Sequence, residues 1–176
     1  HVSWLDIFAI HAVKPARFVA KHEIHSWPVL GWLCARTGTL FIERDRARHA
    51  VHVIHAMRER MKVGISVGIF PEGGSSLGDH VREFHADLFQ AAPQGGAVLP
   101  VALRYLDDGG EATTAPAYAN EITLTECIRS ILSQRKLTVE LNFEGVIDVS
   151  GRSRQELARA TEAAIAKRLG VPIRPA

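Results

Sequence analysis

Five apolar residues between Asp45 and Lys62 (Ala47, Val51, Ile54, Met57 and Met61) recur at helical spacing, and a short β-branched or apolar run stands on each side, at 39–43 and 65–70. This interleaving is what most limits the architectures open to the chain, and it recurs elsewhere. Residues 2–13 predict an amphipathic helix that Pro15 ends, with Ser3 and Asp6 in the S-x-x-D spacing of a capping box. Residues 17–21 predict a strand, and residues 24–36 a Trp-rich helix with Pro28 early and Gly38 as its exit. Strands are expected at 98–103 and 137–143, the first carrying Pro100 as the mark of an edge or a bulge, with a Gly- and Pro-bearing loop at 107–119. Ser153 and Glu156 form a second capping box, opening a helix that runs to Leu169 and stops at Gly170. No repeat or linker breaks the series. Residues 1–176 are therefore expected to form one α/β domain, a mixed central sheet flanked by helices.

Composition narrows the function classes. A chain of 176 residues with 47% hydrophobic and 23% charged side chains buries a core without covalent staples. A net charge of +2 is too small and too dispersed to argue for nucleic acid. Cys34 and Cys127 stand far apart with no other cysteines, which argues against a disulfide framework or a Cys-only zinc site. No run approaches the roughly 18 apolar residues of a membrane span, and no signal peptide is visible. The chain opens on His1 rather than Met, so truncation at the N-terminus is expected, with any membrane anchor upstream.

Three stretches carry residue types suited to chemistry. In HVSWLD, His1 and Asp6 would lie about 140° apart on an ideal helix and cannot pair along one face. With His1 just ahead of the helix and Asp6 in its first turn, the imidazole can fold back onto the carboxylate, leaving its other nitrogen as a general base. The plainer alternative leaves Asp6 as a capping residue and His1 as a frayed end. In GTLFIERDR the Arg44 guanidinium stands at a strand exit, suited to phosphate, although a solvated run of mixed charges has the same composition. In SVGIFPEGGSSLG, Pro71 stops the strand ladder, and Gly73 and Gly74 let backbone amides turn toward an anion. Glu72 is a carboxylate that a plain turn does not need.

Other readings compete for the same residues. GSSLG is a G-x-S-x-G match centred on Ser76, as in a serine esterase or lipase. That elbow needs a sharp strand-to-helix turn and a late histidine, whereas Pro71 ends the strand five residues before Ser76 and His1 precedes it. A non-catalytic lipid-binding module would use Trp4, Phe8, Trp27 and Trp32 as an apolar lining. His49, His52 and His55 sweep about 120° of a helix without the acid of a metal motif, so no metal site is expected.

Taken in order, H-x4-D at 1–6, G-x-L-F-I-x-R at 38–44, F-P-E-G within 70–76 and V-L-P-V at 98–101 resemble the blocks of the glycerolipid acyltransferase family. The best-known type of that family is 1-acylglycerol-3-phosphate acyltransferase. The resemblance implies a glycerol-3-phosphate-acyltransferase-like fold, with His1 as general base and Asp6 as its partner. It also implies that Lys21, Arg44, Glu72 and Gly73 help hold the acyl acceptor while Pro100 shapes the acceptor side. No bound cofactor is implied; the partners are a lysolipid acceptor, an acyl thioester donor (acyl-CoA or acyl-carrier protein) and a membrane surface, at the cytoplasmic face of the cell membrane. One departure bears on the acceptor. Gly74 and Ser75 stand where members acting on lysophosphatidic acid usually carry Thr and Arg. Arginine-free loops are similar to those of members acylating other lysolipids, lyso-ornithine lipids included, and Ser75 and Ser76 are expected to tune head-group choice.

Overall fold

The computed structural model describes residues 1–42, 47–119 and 121–175, with the side chains of residues 21, 42 and 47–50 outside the description. Helix α1 (Leu5–Val13) leads into strand β1 (Arg17–Lys21), a 3-10 turn (His22–Ser26), α2 (Leu30–Arg36) and β2 (Leu40–Ile42). Helix α3 (Ala47–Lys62) is followed by β3 (Val67–Gly68), β4 (Val81–Arg82), a second 3-10 turn (Ala86–Ala91), β5 (Ala97–Val98) and β6 (Val101–Leu106). The chain closes with α4 (Leu124–Leu132), β7 (Thr138–Phe143), β8 (Ile147–Asp148), α5 (Arg154–Leu169) and β9 (Ile173–Arg174). Strand pairing is mixed. A parallel ladder runs β2-β1-β3, β4 and β9 pair in parallel, and β5-β8 and β6-β7 are antiparallel.

Several elements depart from the sequence expectation for identifiable reasons. The helix expected over 24–36 is broken at Pro28, which has no N–H to continue a ladder; Val29 takes φ +64°, and α2 starts afresh at Leu30. The strand expected over 98–103 divides at Pro100, so that β5 pairs with β8 while β6 turns to β7. Only Val67 and Gly68 of the 65–70 run pair, against Arg17 and Phe18. The capping box at Ser3 is half formed: Asp6 Oδ2 accepts from Ser3 N–H, but Asp6 N–H donates to the Ser3 carbonyl rather than its hydroxyl. On α3 the buried face runs through Val53 and Met57, and Val51 is exposed. Helix α4 was not expected, although its Thr123–Glu126 capping box carries the same signal as Ser153–Glu156 at α5. At α5 the box is complete and Gly170 ends the helix at φ +68°.

Three packed clusters position the active-site end. Phe18 of β1, Ile7 of α1 and Cys34 of α2 bury one another against Phe70, and Val2 packs on Tyr105 of β6 and on Ala117. Leu157, Ala158 and Ala166 of α5 cover Val81, Phe84 and Phe89. Within that last cluster the buried Glu162 accepts the Phe84 N–H at 2.6 Å, which fixes the segment leaving β4. Among the described residues no helix is long and apolar enough to cross a membrane.

Candidate active site

His1 lies just ahead of α1 and Asp6 in its first turn. The imidazole folds back, with Nδ1 2.6 Å from Asp6 Oδ2. The ring stacks on Phe70 at a centroid distance of 4.0 Å, and Phe70 stacks in turn on Phe18 of β1. Main-chain contacts reinforce this from the loop after β3. The His1 nitrogen donates to Glu72 Oε1, and the His1 carbonyl accepts from Ser76 N–H at 2.9 Å. HVSWLD and FPEGGSS, some 71 residues apart, thus form one constellation.

Asp6 is wholly buried. Its Oδ2 accepts from His1 Nδ1 and from the N–H groups of Val2 (2.8 Å) and Ser3 (3.2 Å), and Oδ1 accepts from the Tyr105 hydroxyl (2.7 Å). Burial pushes the carboxyl above its ordinary range, against the pull of Tyr105 and the two amides. Among the described residues every one of these partners can donate, an arrangement that solvates an anion and leaves Nδ1 as the protonated nitrogen of His1. The Nε2 lone pair is then free to take a proton. Burial, with the Asp6 charge and hydrogen bond behind it, pushes the Tyr105 phenol well up, so it remains a donor.

The loop residues divide into braces and free donors. Glu72 is buried and uses Oε2 to accept Arg82 N–H at 3.1 Å. Gly73 takes φ +78°, and its N–H donates to the Phe70 carbonyl at 3.3 Å. Among the described residues neither Gly74 N–H nor Ser75 N–H has an acceptor within the protein. The Ser75 hydroxyl donates to the Tyr118 carbonyl and ties the loop to the 112–119 segment. Ser76 is buried, and its Oγ accepts from Gly78 N–H at 3.2 Å. No helix follows Ser76; the next element is β4, which removes the strand-to-helix context of a nucleophile elbow.

A cavity of about 440 Å³ opens beside His1 and Asp6 and is mostly apolar, walled by Phe70, Pro100, Leu103, Met57, Phe84 and Ile165 among others. Pro100 is fully buried in that wall. Lys21 ends β1, but its side chain lies outside the described residues, as does Arg44 entirely. His52 and His55 are exposed, and among the described residues no three His, Cys, Asp or Glu side chains gather as a metal would need.

Two neighbours of the site were not singled out from sequence. Tyr105 reaches Asp6 across 99 residues, a pairing that no local pattern encodes. Arg82 carries its Nη1 to 3.4 Å from where a Cβ on Gly74 would stand. Val81 is buried in the core, and Arg82, the next residue of β4, is half-buried on the other side.

The family model described as Acyltransferase matches residues 1–104. The chain is 46% identical over 151 residues to a 1-acyl-sn-glycerol-3-phosphate acyltransferase of Neisseria gonorrhoeae, covering 85% of this chain and 59% of the relative. It is 35% identical over 166 residues to a lyso-ornithine lipid O-acyltransferase of Pseudomonas aeruginosa, covering 94% of this chain and 64% of the relative. The fold is similar to the crystal structure of the 1-acyl-sn-glycerophosphate (LPA) acyltransferase PlsC from Thermotoga maritima. That match has a TM-score of 0.62 at 21% identity, over 97% of this chain and 62% of the other. The chain thus spans about six-tenths of the length of these relatives. With four ordered sequence blocks, a PlsC-like fold and a family match over its first 104 residues, the chain belongs to the acyltransferase family.

Proposed function

We propose that the chain transfers a fatty acyl group from a thioester donor, acyl-CoA or acyl-carrier protein, to the free hydroxyl of a lysophospholipid or related lysolipid. The observation that carries this reading is the His1–Asp6 contact of 2.6 Å beside the glycine bend, with a mostly apolar cavity opening from the pair. An acceptor hydroxyl is too weak an acid for an imidazole to deprotonate in advance. Proton removal by His1 Nε2 therefore accompanies attack on the thioester carbonyl, and Asp6 stabilises the imidazolium that appears. The oxyanion of the tetrahedral intermediate needs donors, and the N–H groups of Gly74 and Ser75 are the candidates. Collapse expels the thiolate, which takes up the proton held on His1, and the ester is complete. No acyl-enzyme forms, so Ser75 and Ser76 serve the loop rather than the chemistry.

Lys21 and Arg44 hold the acceptor in this reading, and Arg82 adds a cation beside Gly74 for an anionic head group. Glu72 and Gly73 act by fixing the bend, and Pro100 by shaping the cavity wall. The work is done on lipid at a membrane surface, at the cytoplasmic face of the cell membrane. The test is to incubate the full-length protein with radiolabelled acyl-CoA or acyl-carrier protein and a panel of lysolipids. A diacyl product is expected from at least one lysolipid. Hydrolysis of the thioester with no lipid product from any of them refutes the reading.

A further inference from the structure

We propose that Tyr105 is a positioning residue for the His1–Asp6 pair: its hydroxyl donates to the carboxylate oxygen that His1 leaves unused, fixing the acid and limiting how tightly the pair holds a proton. The inference rests on the reading of His1 as general base. Tyr105 is 2% exposed on β6, and its hydroxyl oxygen lies 2.7 Å from Asp6 Oδ1. Val2 and Ala117 pack with its ring and hold it there.

The groups facing Asp6 come from every side of the pocket. His1 Nδ1 and the amides of Val2 and Ser3 come from its own segment, and Tyr105 from β6. Among the described residues, Glu72 of the loop meets the pair at the His1 nitrogen. From α4 the buried Cys127 thiol stands near Tyr105 and Ser3, and burial keeps it protonated. Removing the Tyr105 donor leaves the charge on the wholly buried Oδ1 less stabilised. The carboxylate then becomes more basic, and the imidazolium beside it is held more strongly. Both effects raise the proton affinity of the pair. The acidic limb of the rate profile therefore moves to higher pH, a change that a tyrosine merely filling the core would not produce.

The test compares the full-length protein with Tyr105→Phe, which removes one oxygen and keeps the ring. Titration of the His1 imidazole followed by NMR is expected to move up by about one pH unit, the scale of one charge-assisted hydrogen bond shared between two groups. The acidic limb of kcat follows it, giving about a tenfold loss of rate below the limb, with KM for acceptor and donor little changed. The NMR titration needs no substrate, so it remains informative even if the acyl-transfer reading fails. Replacing Tyr105 by 3-fluorotyrosine, a stronger donor of nearly the same shape, is expected to move the titration down, and it serves if the Phe variant does not fold. An imidazole titration that stays in place, or moves the opposite way, in the folded variants overturns the proposal.

Discussion

Replacing Asp6 with Asn removes a charge while keeping the shape of a wholly buried side chain. If the amide nitrogen takes the Oδ1 site it meets the Tyr105 oxygen, which can accept, and the retained oxygen still receives His1 Nδ1 and the Val2 and Ser3 amides. The fold therefore survives. The imidazolium formed in the transition state does not fare as well. With the contact at 2.6 Å and the charge centres about 4 Å apart, an effective dielectric of about 20 gives about 4 kcal/mol of attraction. At 1.36 kcal/mol per decade that is about a thousandfold in kcat. If the amide nitrogen turns toward His1 instead, the ring is pushed into the other tautomer and Nε2 is capped by a proton, which lowers the rate as well. The assay is the initial rate of lysolipid acylation by the full-length protein, with KM and a thermal melt measured alongside. A melt near wild type, a steady KM and a collapsed kcat are expected. A folded Asp6→Asn variant that keeps kcat within about threefold of wild type would refute the electrostatic reasoning.

Three further outcomes test other parts of the account. A serine-directed fluorophosphonate is expected to leave the protein unlabelled, and Ser76→Ala to retain transfer; labelling at Ser76 with loss of activity on substitution would favour a hydrolase. Arg82→Gln is expected to raise KM for a lysolipid with an anionic head group by about tenfold while kcat holds; an unchanged KM removes Arg82 from head-group binding. At α5, Glu156 takes hydrogen bonds from the Ser153 N–H and hydroxyl, which hold its carboxyl below the ordinary 4.5. A depressed folded value means that this stabilisation is fully present above pH 4.5 and is lost as pH falls through the folded value. Urea denaturation across that window is expected to flatten in Glu156→Gln, and an unaltered slope contradicts the capping role.

What could be read from the sequence was whatever residues state locally. The Ser153–Glu156 box and Gly170 marked both ends of α5, and the short apolar run within 17–21 marked β1. The T-x-x-E at 123–126, with Leu124, Cys127, Ile128, Ile131 and Leu132 at helical spacing behind it, carried the same information for α4. Pairings of two residues, such as β4-β9 and β5-β8, are too short to show a period and depend on where α5 and Pro100 place their partners. The site behaved in the same way. His1 and Asp6 were visible because they lie in one short stretch, and Glu72 because an acid beside glycines is unusual for a plain turn. Its Oε2 also takes the Arg82 main-chain N–H, a contact that the local pattern does not show. Tyr105 and Arg82 could not be found that way, because what matters about each is a tertiary distance.

The central claim is that the His1 imidazole, held by Asp6 beside the glycine bend, takes the acceptor proton during acyl transfer. The measurement that bears on it most directly is acylation of a lysolipid by full-length His1→Ala, from a radiolabelled thioester, with lysolipid binding and folding followed in parallel. Transfer is expected to fall to background while binding and fold persist. Undiminished turnover by the folded variant would contradict the claim.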